Sequence, residues 1–217
     1  MKSFRILLAT VAILLTTLPQ ASAQLNLGRL GARATQGAAR EAVNAGTRLV
    51  NNKNKSFTFK KLPTTLEELK ALPEADMKDP YAVAALSVLA LTNWENNRDV
   101  AIEMLNFLKG PDDLSTSEIS FINERFQGDK YYKVFSFFEG AKPDNDYTPK
   151  EPYKLKITSN PYSFQNDHWA TLYLHSGGAD NPRPIRLREK PSTGQWFVVE
   201  IQYLSDIRIP ASQDAWN

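Results

Sequence analysis

Two histidines are all the imidazole this chain has, and they set the first limit on its chemistry. His168 and His175 are seven residues apart, an odd separation, so on one regular strand they point to opposite faces. They cannot share a metal there without a bulge between them. Ser176 follows His175 and Asp180 is close behind, which assembles the letters of a hydrolytic triad. Neighbours in sequence rarely meet in triad geometry, however, and no G-x-S-x-G elbow exposes a nucleophilic serine. Asp144-Asn145-Asp146 opens like a calcium loop, but Pro149 stands where that loop needs glycine and Leu155 where it needs glutamate. Motifs of the forms G-x-x-x-x-G-K, G-x-G-x-x-G and H-E-x-x-H are absent. The lack of cysteine removes disulfides, thiolate nucleophiles, Cys-ligated zinc and a lipoprotein's lipid-bearing cysteine together. No cofactor or metal is expected. Carboxylates are plentiful, yet their spacing selects no acid/base pair.

What remains is recognition. From Ile185 to Lys190 the faces of a strand separate: Arg186, Arg188 and Lys190 on one side, Ile185 and Leu187 on the other. Such a stripe is most often a solvated sheet face; its functional reading is an anion-facing surface. Tyr162, Trp169, Tyr173 and Trp196 sit on or beside strands, and Trp216 is next to last. In an exported protein, rings beside Asp and Asn commonly grip sugars. The competing arrangement places the rings in the core between sheet and helices. The candidate binding residues are Tyr162, Trp169, Asp180, Arg183, Arg186 and Arg188, carried by the sheet and the 176–184 loop. The expected partner is a cell-envelope glycan or a protein, and nucleic acid is not expected. The alternative is a hydrolase of cell-envelope or other polysaccharide that works through scattered carboxylates.

The stretch Ser176–Glu200 must position most of these residues. Gly177-Gly178 suggests an elbow with backbone angles closed to other residues. Pro182 and Pro184 keep the entry extended and near a sheet edge. Pro191-Ser192-Thr193-Gly194 is a turn, and Trp196-Phe197-Val198-Val199 is an apolar run that suits a strand covered on both faces. Earlier strands show the same period of two: Tyr153, Leu155 and Ile157 alternate with lysines, and Trp169 to His175 alternates again. About four strands in sequence order make an antiparallel meander the simplest topology.

The helices come first. Thr65 with Glu68, or Thr64 with Glu67, has capping-box spacing. Asp79-Pro80 starts a helix reaching about Trp94 that is apolar nearly all round, the mark of a core element. A third helix over about 97–109 points Ile102, Leu105 and either Phe107 or Leu108 inward and stops at Gly110. Ser115 and Glu118 cap a fourth, with Ile119, Ile122 and Phe126 at helical spacing. Tyr131–Phe138 is ambiguous, and 139–152 is a loop. Helices followed by strands read as α+β: helical part 62–138 and β part 153–209, within one domain over 56–217. Ser56 to Leu62 alternates weakly around Phe57 and Phe59, as a short strand would.

The first 23 residues read as an export signal. Lys2 and Arg5 precede an apolar core from Ile6 to Leu18, and Ala21-Ser22-Ala23 is a cleavage pattern. That core is 13 residues long, short of the roughly 20 a membrane span needs; the rival reading is an uncleaved anchor. The mature chain is expected to begin near Gln24, in the periplasm or outside the cell. Residues 24–55 form a basic Gly/Ala-rich arm. Counted to residue 61 it carries eight Lys/Arg against Glu41 alone, whereas 62–217 carries 16 Lys/Arg against 23 Asp/Glu. The arm reads as a spacer or as a marginal helix that touches an anionic membrane surface through Arg29, Arg33 and Arg40.

Several long stretches also occur in a set order: LPTTLEELKALPEADMKDPYAVAALSVLAL, EMLNFLKGP, FFEGAKPDNDYTP, NPYS, SGGADNPRPIRLREKPSTGQWF and DIRIPASQDAW. In these the chain resembles an uncharacterised bacterial domain family of unknown function, from about Leu62 to Trp216. The resemblance implies no activity, cofactor or catalytic residue. Many members of that family lack an export signal, so the leader and arm here are departures from it.

Overall fold

The structure, a computed structural model, describes residues 54–216. The stretch expected to be an export signal and the arm as far as residue 53 lie outside them. The chain enters through β1 (Asn54–Phe59) and then forms α1 (Leu66–Lys70). Thr65 Oγ1 accepts from the Glu68 amide at 3.2 Å, and the Glu68 carboxylate accepts from the amide and hydroxyl of Thr64 at 2.7 and 3.0 Å. Thr65 therefore caps the helix, while the return bond goes one residue further back than in a standard box. The Lys61 ammonium, then the Thr64 amide and hydroxyl, hold the Glu68 carboxyl down to about 2.

After a short 3-10 turn comes α2 (Pro80–Leu91), capped by Asp79, whose carboxylate accepts from the Tyr81 amide at 3.1 Å. Every residue from Tyr81 to Leu91 is buried, as the sequence predicts. Burying each Leu or Val is worth about 1.5–3 kcal/mol. Within that run the Ser87 hydroxyl donates to Ala84 O at 2.8 Å beside the Tyr203 hydroxyl, and the Tyr81 hydroxyl donates to Ser159 Oγ at 2.7 Å. Burial pushes the Tyr203 phenol well above its ordinary range. The chain continues through α3 (Arg98–Lys109), α4 (Thr116–Phe126) and α5 (Tyr132–Phe135). In α3 the buried side chains are Ala101, Met104, Leu105 and Leu108; Ile102 and Phe107 are only half-buried. The full capping box of Ser115 and Glu118 opens α4, which buries Ile122 and Phe126. The ambiguous Tyr131–Phe138 stretch is a single helical turn that ends with Phe138 bridged to Leu155.

The sheet follows: β2 (Tyr153–Thr158), β3 (Trp169–Leu174), β4 (Arg183–Lys190) and β5 (Gln195–Ile201). Its order is β1-β2-β3-β4-β5 with every neighbouring pair antiparallel, so the fold is α+β with a five-stranded meander rather than four strands. The extra strand is β1, paired from Asn54↔Thr158 to Phe59↔Tyr153. It takes in Asn54 and Lys55, which in the sequence look like the end of the arm. Among the described residues all five α-helices are inserted between β1 and β2. The inner face of the sheet, with Leu155, Ile157, Ala170, Leu172, Leu174, Ile185, Leu187 and Val198, joins the helices in one core.

Two sequence expectations change. Trp196–Val199 is not buried throughout: Val198 is buried, while Trp196, Phe197 and Val199 are half-buried on the last strand of the sheet. Phe197 lies opposite Arg188 on the outer face, and Trp196 is turned inward against Phe164. Gly177 and Gly178 are not needed for left-handed backbone, since neither has a positive φ. They are needed for space: a Cβ would sit 1.9 Å from Ala141 O at Gly177 and 2.1 Å from the Tyr147 hydroxyl at Gly178.

Candidate functional site

The outer face of β3–β5 brings three of the candidate binding residues together. Alternation along β3 and β4 puts Trp169 directly across from Arg188, with Arg186 on the diagonal. Both guanidinium groups stack on the indole, Arg186 at 4.6 Å and Arg188 at 5.1 Å from its centroid. Arg186 also pairs with Glu200 at 3.2 Å. Arg188 has no carboxylate partner among the described residues.

Beside Trp169 a cleft of about 370 Å³ opens, bounded by Lys109, Asp112, Arg188, Lys190 and Phe197. The loop after α3 closes it: Gly110 packs so tightly on the Phe197 ring that a Cβ would lie 2.8 Å from it, and its φ is +98°. Within the cleft Lys109 is taken by Glu118 at 3.1 Å, and Glu189 by His168 at 2.9 Å. Burial opposes ionisation of Glu118, but the Ser115 hydroxyl and amide and the Lys109 ammonium outweigh it and lower its pKa. That leaves Arg188 and Lys190 against Asp112, an excess of one positive charge. A sugar ring would have to compete with two guanidiniums for the indole. An anion would not, because a stacked guanidinium still presents its N–H edge for paired hydrogen bonds to a carboxylate or phosphate.

The other candidates lie elsewhere. Asp180 is ion-paired with Arg208, whose amide donates to Gly178 O at 2.9 Å. Arg183 donates to Asp206 O at 2.7 Å and faces inward, opposite to Arg186. It is five residues from Arg188, roughly 17 Å along an extended strand. The 176–184 loop is thus a latch onto the 204–208 segment. Tyr162 is 58% exposed on the loop between β2 and β3. Ser176 donates to Ser136 Oγ at 2.7 Å rather than meeting His175 and Asp180 as a triad. Asp144 pairs with Lys142, and Asp146 accepts from the Ser212 amide, so their oxygens diverge. Among the described residues no cluster of three or more His, Cys, Asp or Glu could hold a metal, and no helix is long and apolar enough to cross a membrane.

Residues 61–211 match the family described as a domain of unknown function, DUF6935. The chain belongs to that family. No curated protein and no solved structure matches it. The family span contains Trp169, Arg186, Arg188 and the whole cleft, whereas β1 precedes it.

Of the candidates named from the sequence, the structure brings Trp169, Arg186 and Arg188 together; Phe197, Lys109 and Asp112, which the sequence does not single out, line the adjoining cleft. Phe197 was absorbed into an apolar run. The 110–112 loop reaches the cleft from over 50 residues before Trp169, a proximity no local pattern encodes.

Proposed function

We propose that this is an exported, non-catalytic binding module that takes an anionic ligand on the outer face of β3–β5. The observation that carries this reading is Arg188, stacked on Trp169 at the mouth of a cleft and free of any carboxylate among the described residues. The ligand class is an acidic glycan of the cell envelope, with uronate or phosphate groups for Arg188 and Lys190. Export rests on the leader sequence alone, with a periplasmic or secreted mature chain beginning near Gln24. The basic arm would add a weak, salt-sensitive contact with an anionic membrane surface.

Titration calorimetry of the full chain against polygalacturonate and dextran tests the reading. The acidic polymer should bind and the neutral one should not, with binding weakening as salt rises. Equal binding of both, or of neither, contradicts it. The hydrolase reading has one observation in its favour: Asp112 and Glu189 line the same cleft. It requires polymer cleavage by the wild type that D112N abolishes.

A further inference from the structure

A second cavity lies two strands away, where the sheet forks. β2 and β3 pair only at Ile157↔Leu174 and Thr158↔Tyr173 and then separate. The His175 amide donates to Lys156 O at 3.1 Å and closes the fork. Phe138 and Glu139 fill the space beside the first half of β2, with the Glu139 amide donating to Lys154 O at 2.8 Å. The far wall is held by the Gly177 amide on Ser136 O at 2.8 Å and by the Ser176–Ser136 hydroxyl pair. A cavity of about 240 Å³ remains, bordered by Ser56, Glu139, Lys154, Lys156, His175 and Ser176.

Its polar groups are under-used. His175 Nε2 is buried without a hydrogen-bond partner, and a buried polar atom of this kind ordinarily has a partner, protein or bound. Lys156 forms no ion pair among the described residues, and Lys154 has only Glu139, at 3.9 Å. The amides of Gly140 and Ser176, both in the cavity wall, donate to no described residue. His175, Lys154, Lys156, Ser56 and the backbone at Gly140 and Ser176 border a space the size of a small ligand. A neutral occupant would leave the lysines unopposed. A carboxylate has two oxygens to offer, whereas a phosphate group has three or four and the charge to match both lysines.

We propose that this fork binds a phosphate group, either free or at the end of a monoester. The site is independent of the Trp169 cleft, and its residues belong to β1, β2 and the segments 138–141 and 175–177. Burial and the neighbouring Lys156 lower the His175 pKa in the free protein; a bound dianion beside both groups would reverse that push. The charged side chains bordering the ring are Lys154 and Lys156 from β2 and Glu139 from the adjoining segment.

The chain's two histidines make the experiment simple. The full chain at pH 7.5 is titrated with inorganic phosphate while the imidazole Cε1–H resonances are followed by NMR. His175 should move saturably, and His168, at the opposite end of β3 and paired with Glu189, should stay put. K156M should weaken binding about tenfold or more, the scale of a lost charge-assisted bond. An unmoved His168 resonance confirms that the variant is folded. Acetate at equal ionic strength should leave His175 in place. Glycerol phosphate separates the two sources: tighter binding than inorganic phosphate assigns a terminal monoester, weaker binding assigns the free ion. No movement of His175, equal movement of both histidines, an acetate response as large as the phosphate response, or wild-type affinity in K156M overturns the proposal.

Discussion

Gly177→Ala is the most direct test of how the loop after β3 is held. The new Cβ would lie 1.9 Å from Ala141 O and 3.3 Å from Lys142 Cα. Non-bonded carbon contacts settle near 3.5–4.0 Å, so the two segments must part by roughly 1.5 Å or more. Parting stretches the Gly177 amide bond to Ser136 O, now 2.8 Å, and the Ser176–Ser136 hydroxyl bond, now 2.7 Å. Each bond is worth about 1 kcal/mol net, and a partner left buried and unpaired costs about 1–3 kcal/mol more. The sum is about 3–5 kcal/mol, a large share of the 5–15 kcal/mol typical of a domain. In urea, with a slope of about 2–3 kcal/mol per molar, the unfolding midpoint should fall by about 1–2.5 M. Ser176→Ala removes the hydroxyl bonds without inserting a Cβ and should cost about half as much. A G177A midpoint within about 0.3 M of wild type would refute the close-packing argument.

Three further outcomes are expected. Leu86→Ala, at a fully buried position on α2, should cost about 2–5 kcal/mol by cavity formation, read as a drop in the urea midpoint. The Glu68 carboxyl is held at about 2 against an ordinary 4.5, so its contribution is present above pH 4.5 and lost as pH falls toward 2; E68Q should show a smaller loss of stability between pH 6 and pH 3 than wild type. N-terminal sequencing of the native protein should return a chain beginning at Gln24, and an intact Met1 with membrane retention would overturn the export reading.

How much was legible in the sequence depended on the range of the interaction. Helix ends were readable because Thr65, Asp79 and Ser115 act within four residues of themselves. The outer stripe was readable because Arg186 and Arg188 alternate with Ile185 and Leu187 regardless of what lies across the sheet. The strand count fell one short because β1 pairs with a strand about 100 residues later and its only local mark is Phe57 and Phe59. Asp180 and Arg183 looked available because their partners, Arg208 and Asp206, come more than 20 residues further on. The Gly177-Gly178 pair was recognised as special for the wrong reason: local sequence shows permissive backbone, while the need here is closeness to Ala141 and Tyr147.

The proposed binding function requires that Arg186 and Arg188, displayed on Trp169, make the outer face an anion-binding surface. The measurement that tests it most directly is the affinity of the R186Q/R188Q double variant for polygalacturonate, set beside wild type at low and physiological salt. Both side chains are exposed on the outer face, so the fold should survive the change. The variant should lose at least tenfold in affinity and show a flatter salt dependence. Unchanged affinity with unchanged salt dependence would contradict it.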